Sequence, residues 1–127
     1  MTLVFTNGCF DILHRGHIEL LKHCASRGRV LVGLNSDSSI RKLKGPSRPY
    51  IGEEDRKVIL EACRYVDQVI IFEEETPYSL IKRVNPDIII KGGDYAPEDV
   101  VGNDIARVEI FDYIEGNSTT SILEKIL

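Results

Sequence analysis

Short apolar runs alternate along this chain with stretches in which apolar positions recur every three or four residues. Residues 3–6 read as a short β-type run ended by Asn7-Gly8. Over 16–26, Ile18, Leu20, Leu21 and Cys24 are spaced by polar residues, which predicts a helix with one buried stripe. Arg27-Gly28 closes that helix. Residues 29–34, with Val30, Leu31, Val32 and Leu34, read as a largely buried strand. The segment 35–52 holds Gly45-Pro46 and Arg48-Pro49 and is expected to be a long loop. Glu53-Glu54-Asp55 puts acids in the first turn of the next helix, which is expected to run to about Tyr65.

The second half repeats the rhythm. Residues 69–72 form an apolar strand, and Thr76-Pro77 offers an N-cap with proline at the first helical position. That helix ends near Asn85-Pro86. Ile88-Ile89-Ile90 is a buried strand ending in Lys91-Gly92-Gly93-Asp94, and 107–111 is read as the last strand. A final helix is expected over 119–127, headed by Asn117-Ser118-Thr119-Thr120. Alternating short apolar strands and helices predict an α/β fold: a mostly parallel sheet of about five strands with helices on both faces. In such sheets ligands bind beyond the carboxyl ends of the strands, at a topological switch point. The unusual segments 8–17, 35–48 and 91–95 all follow strands.

Composition narrows the class. The 127 residues are 43% hydrophobic and 28% charged, with no repeat or linker, so one domain spanning 1–127 is expected. A net charge of −4 argues against a nucleic-acid partner. No apolar run approaches the ~20 residues of a membrane span, and Met1-Thr2-Leu3-Val4-Phe5 lacks a signal-peptide pattern, which predicts the cytoplasm and no membrane partner. Cys24 and Cys63 fall on apolar helix faces and read as small core residues. Cys9 lies in a loop where nothing else points to thiol chemistry. Arg41, Lys42, Lys44 and Arg48 cluster in an otherwise acidic chain, either as a solvated basic loop or as a cover for phosphates.

His14-Arg15-Gly16-His17 carries the most chemistry. Two imidazoles three residues apart at a helix start share a face with unpaired N–H groups and the positive end of the helix dipole, a site suited to a polyphosphate. Gly16 removes a side chain where a ligand would approach the backbone. The alternatives are a zinc pair lacking an evident third ligand and purely structural histidines. His23, six residues beyond His17, is expected to be exposed.

The run from Asn7 to His17, Asn-Gly-Cys-Phe-Asp-Ile-Leu-His-Arg-Gly-His, resembles the signature of the cytidylyltransferase-like nucleotidyltransferases, and Ser118-Thr119-Thr120 resembles their second signature. Asn35-Ser36-Asp37, Leu43-Lys44-Gly45, Ser47-Arg48-Pro49 and Lys91-Gly92-Gly93-Asp94-Tyr95 are especially similar to the adenylyltransferase domains of bacterial ADP-heptose synthases. The resemblance covers nearly the whole chain. It implies a Rossmann-like fold that moves a nucleotidyl group from a nucleoside triphosphate, with Mg²⁺, to a phosphorylated sugar or polyol, releasing pyrophosphate.

The resemblance also assigns roles. His14, His17, Lys44 on a mobile loop, and Arg56 near the acceptor or phosphates would form the catalytic set. Gly8, Cys9, Phe10, Gly16, Lys91, Gly92, Asp94, Glu115, Asn117, Ser118 and Thr119 would bind the nucleotide. Asp11 would fix its loop or help hold the metal, for which no protein ligand is assigned. Each has a plainer alternative: a turn residue for Asp94, an N-cap for Ser118, and a surface partner of nearby acids for Arg56. In the segment 112–120, Tyr113 and Asn117 replace the arginine and isoleucine typical of glycerol 3-phosphate cytidylyltransferases, which favours ATP over CTP. A sugar 1-phosphate such as a heptose 1-phosphate is the expected acceptor. A homodimer and a separate upstream sugar kinase are expected too, since ADP-heptose synthases commonly carry a fused kinase. A non-catalytic nucleotide-binding module is the reading from another class.

Overall fold

The computed structural model describes residues 1–112. Five strands form one parallel sheet: β1 (Leu3–Gly8), β2 (Arg29–Asn35), β3 (Gln68–Phe72), β4 (Ile88–Gly92) and β5 (Arg107–Phe111), in the order β3-β2-β1-β4-β5. Register runs from Leu3 opposite Arg29 to Gly8 opposite Leu34, while β1 meets β4 through Val4–Ile88 and Phe5–Ile89. Two aspartates pin the amino edge of the sheet. Val30 N–H donates to Asp67 at 2.7 Å and Leu3 N–H donates to Asp87 at 2.8 Å.

The strands read as continuous apolar runs because both faces are covered. Alternation along β1 sends Val4 to one core and Phe5 to the other. The first core receives Leu20, Leu21 and Cys24 of α1 (Arg15–Arg27) and Leu60 of α3 (Glu53–Glu61). The second receives Leu80 and Ile81 of α4 (Tyr78–Val84) and Val100, just after a 3₁₀ turn at Pro97–Asp99. Helices on opposite faces put the switch point between β1 and β4, where the chain reverses its direction of travel across the sheet. The fold is Rossmann-like. No helix among the described residues is long and apolar enough to cross a membrane.

Four local expectations are corrected. The segment 35–52 is not a continuous loop: α2 (Asp37–Lys44) forms there, with Ser36 accepting from Ser39 N–H at 3.1 Å. Lys44 therefore ends a helix instead of riding a loop. The next helix stops at Glu61, short of Tyr65, and leaves Cys63 half-buried beyond its end. Pro77 is the N-cap of α4, so the helix starts one residue later than expected, with Thr76 Oγ1 accepting from Tyr78 N–H at 3.4 Å. His23 is half-buried, stacked on Phe111 with 5.0 Å between ring centroids. The helix expected over 119–127 lies outside the described residues.

Gly102 is held at φ +93, and a Cβ there would come 2.7 Å from Ile89 Cδ1 and 3.0 Å from Ile81 Cδ1. Gly102→Ala is expected to destabilise the protein by about 2 kcal/mol, from backbone strain and overpacking together. Urea unfolding measures this, and an unchanged midpoint would contradict the packing described.

Candidate active site

A cleft of about 630 Å³ opens at the carboxyl edge of the sheet over the switch point. Gly8, Cys9, Phe10 and Asp11 come to it from the loop after β1, His17 from α1 and Lys44 from the end of α2. Lys91, Gly92, Gly93, Asp94 and Tyr95 come from the end of β4 and the loop beyond. Gly8 packs closely, since a Cβ there would stand 3.2 Å from the Phe10 ring and press on it. Phe10 itself has φ +47 and is buried against His17, with ring centroids 5.1 Å apart. A non-glycine residue in that region is held by its surroundings, and such strain gathers at ligand sites.

The histidines build the start of α1. His14 is the extended N-cap residue, and its Nδ1 accepts from Gly16 N–H at 3.1 Å. His17 Nδ1 in turn accepts from His14 N–H at 3.3 Å, completing a reciprocal capping box. Two amides expected to be free are thus already partnered. The consequence is chemical: with each Nδ1 accepting, each neutral ring carries its proton on Nε2. The rings stack at 3.8 Å between centroids. Burial, then the neighbouring His14 and Lys44 charges, hold the His17 pKa down to about 3, and burial lowers His14 as well. At neutral pH the free site holds two neutral N–H donors, with the cations supplied by lysines.

Lys91 is half-buried, and burial lowers its pKa below the ordinary lysine value, with nearby Cys9 acting in the opposite sense. Its ammonium lies 5.4 Å from the Tyr95 ring centroid, within cation–π range. Asp11 is buried and accepts from Tyr50 N–H at 2.9 and 3.0 Å and from Ile51 N–H at 2.9 Å. Its carboxylate fastens the chain beyond the basic segment to the loop after β1.

Arg56 is placed differently from expectation. Its side chain has no exposed surface and stands under the cleft, outside the lining. Nε donates to Ile51 O, Nη1 to both Cys9 O and Asn35 O, and Nη2 to Asp37 Oδ1, all at 2.7–2.8 Å. With four N–H groups spent on protein, it organises the floor, and the one acid it meets, Asp37, is partly exposed. His14 and Gly16 also stand outside the lining. Glu115, Asn117, Ser118 and Thr119 lie outside the described residues. Sequence reasoning missed Asn7, Asn35, Glu75, Pro77 and Val101 in the cleft wall, although all lie at or beyond strand ends except Val101. Among the described residues no three His, Cys, Asp or Glu side chains gather as a metal-binding group.

A parallel α/β sheet with helix-capping imidazoles and converging lysines at its switch point defines a nucleotide-handling protein of the nucleotidyltransferase class. The cytidylyltransferase-like family profile matches residues 5–113, and the chain belongs to that family. It is 54% identical over 132 residues to the "Bifunctional protein HldE" of Syntrophotalea carbinolica, covering 99% of this chain and 27% of that protein. The protein of the same name from Aliarcobacter butzleri is 53% identical over 126 residues, covering 98% and 26%. The chain thus spans about a quarter of the length of the curated relatives it matches. Among solved structures, the lipopolysaccharide core biosynthesis protein from Thermoplasma volcanium aligns with a TM-score of 0.74 and 28% identity, over 90% of this chain and 97% of that one.

The geometry of His17 and Arg56 sets three expected outcomes. Asn at position 17 keeps an acceptor near the Nδ1 position but loses the Nε2 donor. His17→Asn is expected to cut turnover at least ~10²-fold if that donor meets transition-state charge. An unfolded histidine takes its proton near pH 6.5, whereas native His17 waits until about 3. The unfolded chain therefore binds more protons in that window, and stability of the ligand-free protein rises with pH across it. Thermal melts from pH 5 to 6.5 should show a rising midpoint that flattens in His17→Asn; equal slopes would contradict the assignment. Arg56→Met strands three carbonyls and the Asp37 carboxylate, and is expected to destabilise by roughly 3–5 kcal/mol in urea unfolding.

Proposed function

We propose that the chain transfers AMP from ATP to a sugar 1-phosphate, with D-glycero-D-manno-heptose 1-phosphate as the first acceptor to try, and releases pyrophosphate. The observation that carries this reading is the His17 imidazole at the start of α1, its Nδ1 occupied by His14 N–H and its ring in a cleft that Lys44 and Lys91 also line, with His14 stacked against it. Family membership and the resemblance of the motifs to ADP-heptose synthases support the donor and acceptor.

In this reading an acceptor phosphate oxygen, already anionic, attacks the α-phosphorus in line. The bond to the bridging oxygen breaks, and pyrophosphate leaves with the electron pair. No general base is required. The work is orientation and charge stabilisation. Neutral imidazoles donate hydrogen bonds to the oxygens, and the lysines supply positive charge. The described residues offer Mg²⁺ no ready-made cage, which suits an ion arriving on the nucleotide's own phosphate oxygens, where it would screen triphosphate charge. Asp11, already engaged by two backbone amides, serves its loop first. The sugar 1-phosphate must come from an enzyme that phosphorylates the anomeric position. Val58 and Ile59, exposed on the outer face of α3, are the apolar surface we assign to a homodimer.

A substrate matrix tests the reading: four nucleoside triphosphates against several phosphorylated sugars and polyols, followed by pyrophosphate release. The expected result is release with ATP and a sugar 1-phosphate. CTP-only activity with glycerol 3-phosphate would overturn the donor and acceptor together. Nucleotide binding without release under any pairing would make the chain a binding module.

A further inference from the structure

A recess of about 150 Å³ opens off the main cleft on the α4 side of the sheet. Asn7, Lys91, Tyr95, Pro77 and Val101 line both spaces, while Asp99 and Val100 belong to the recess alone. Strand alternation explains its position. Asn7 follows Phe5 and Lys91 follows Ile89 by two residues, so both point to the α4 face, away from α1 and its histidines. The cleft therefore has two walls built from opposite layers: His17 on one, and this recess on the other.

We infer that the recess is the seat of the acceptor's sugar ring, a polyhydroxylated group of monosaccharide size whose phosphate reaches past Lys91 into the main cleft. The inference rests on the function proposed above and adds a location and a chemistry to it. Size favours this occupant. The recess equals about five waters of liquid volume, too little for a nucleotide, whereas the main cleft falls in the ordinary range for one. Chemistry agrees. Asp99 accepts hydrogen bonds only, and no described residue forms an ion pair with it. Asn7 can both donate and accept. Ring hydroxyls can answer either group, taking the places of water one for one. Tyr95, Pro77 and Val101 give apolar surface for the C–H face of a ring. A purine, apart from its single amino group, would set ring-nitrogen lone pairs against the Asp99 carboxylate, acceptor against acceptor.

Lys91 stands where the two spaces meet, so its ammonium is in place for the group that must cross between them. That group is the acceptor phosphate, and its attack on the α-phosphorus then comes from the wall opposite the histidines. Opposed approach is what in-line displacement requires.

Val101→Phe fills the recess from a partly exposed position, and Asp99→Leu removes its carboxylate; either serves if the other fails to fold. Steady-state kinetics with ATP and a sugar 1-phosphate should show the acceptor KM rising at least ~10-fold while the ATP KM stays within about twofold. A KM rise that falls on ATP instead, or on neither substrate, overturns the inference. Saturation-transfer NMR with mannose 1-phosphate and no nucleotide reads the same site without turnover. Contacts to the ring protons are expected in the wild type and should be lost in Val101→Phe. Their absence from the wild type, or their survival in the variant, overturns the recess. Absence of pyrophosphate release together with ring contacts that the variant loses would remove the proposed reaction and leave the sugar site standing.

Discussion

One buried guanidinium holds the working edge of this protein together. Arg56 ties the carbonyl of Cys9, the carbonyl of Asn35 at the end of β2, the carbonyl of Ile51 and the Asp37 carboxylate at the start of α2. These belong to separate stretches of chain whose relative positions the sheet alone does not set. A buried charge is costly unless its hydrogen bonds are made, so the arrangement is close to all-or-none: the loops sit where the guanidinium needs them. Asp11 adds a second tie from the same loop to Tyr50 and Ile51. The positions of Lys44 and the loop after β1 follow from these two residues.

On that floor, charge is divided between side-chain types. Burial lowers the pKa of both stacked imidazoles, and at His17 the neighbouring His14 and Lys44 charges add to it. The capping box then selects the tautomer, so the helix start that orders the backbone also aims the donors. Positive charge in the cleft resides on Lys44 and Lys91, carried on long flexible stems. Geometry is delegated to the rings and electrostatics to the ammonium groups.

The strands were legible in the sequence because a parallel sheet covered on both faces must be written as apolar runs, and 29–34 and 88–90 are such runs. Helix α2 was hidden for the opposite reason. Its eight residues bury Ile40 but leave Leu43 more than half exposed, so no stripe repeats over two turns, and only the Ser36 cap announces it. The histidine pair, Gly8, Asp11, Lys91 and Asp94 could be selected from motifs. Arg56 was selected too, but its place beneath the cleft depends on partners 5 to 47 residues away, which no local pattern encodes. Asn7, Pro77, Asp99 and Val101 are brought together only by the crossover from one face of the sheet to the other.

That crossover also divides the molecule's evolutionary freedom. The sheet keeps the α1 core and the α4 core apart, so substitutions that reshape one wall of the cleft need not propagate into the packing of the other. A lineage could exchange residues around the 3₁₀ turn and retune that wall, while the imidazole layer on the far side stayed intact. Diversification within such a scaffold would then be modular, one wall drifting against a fixed counterpart.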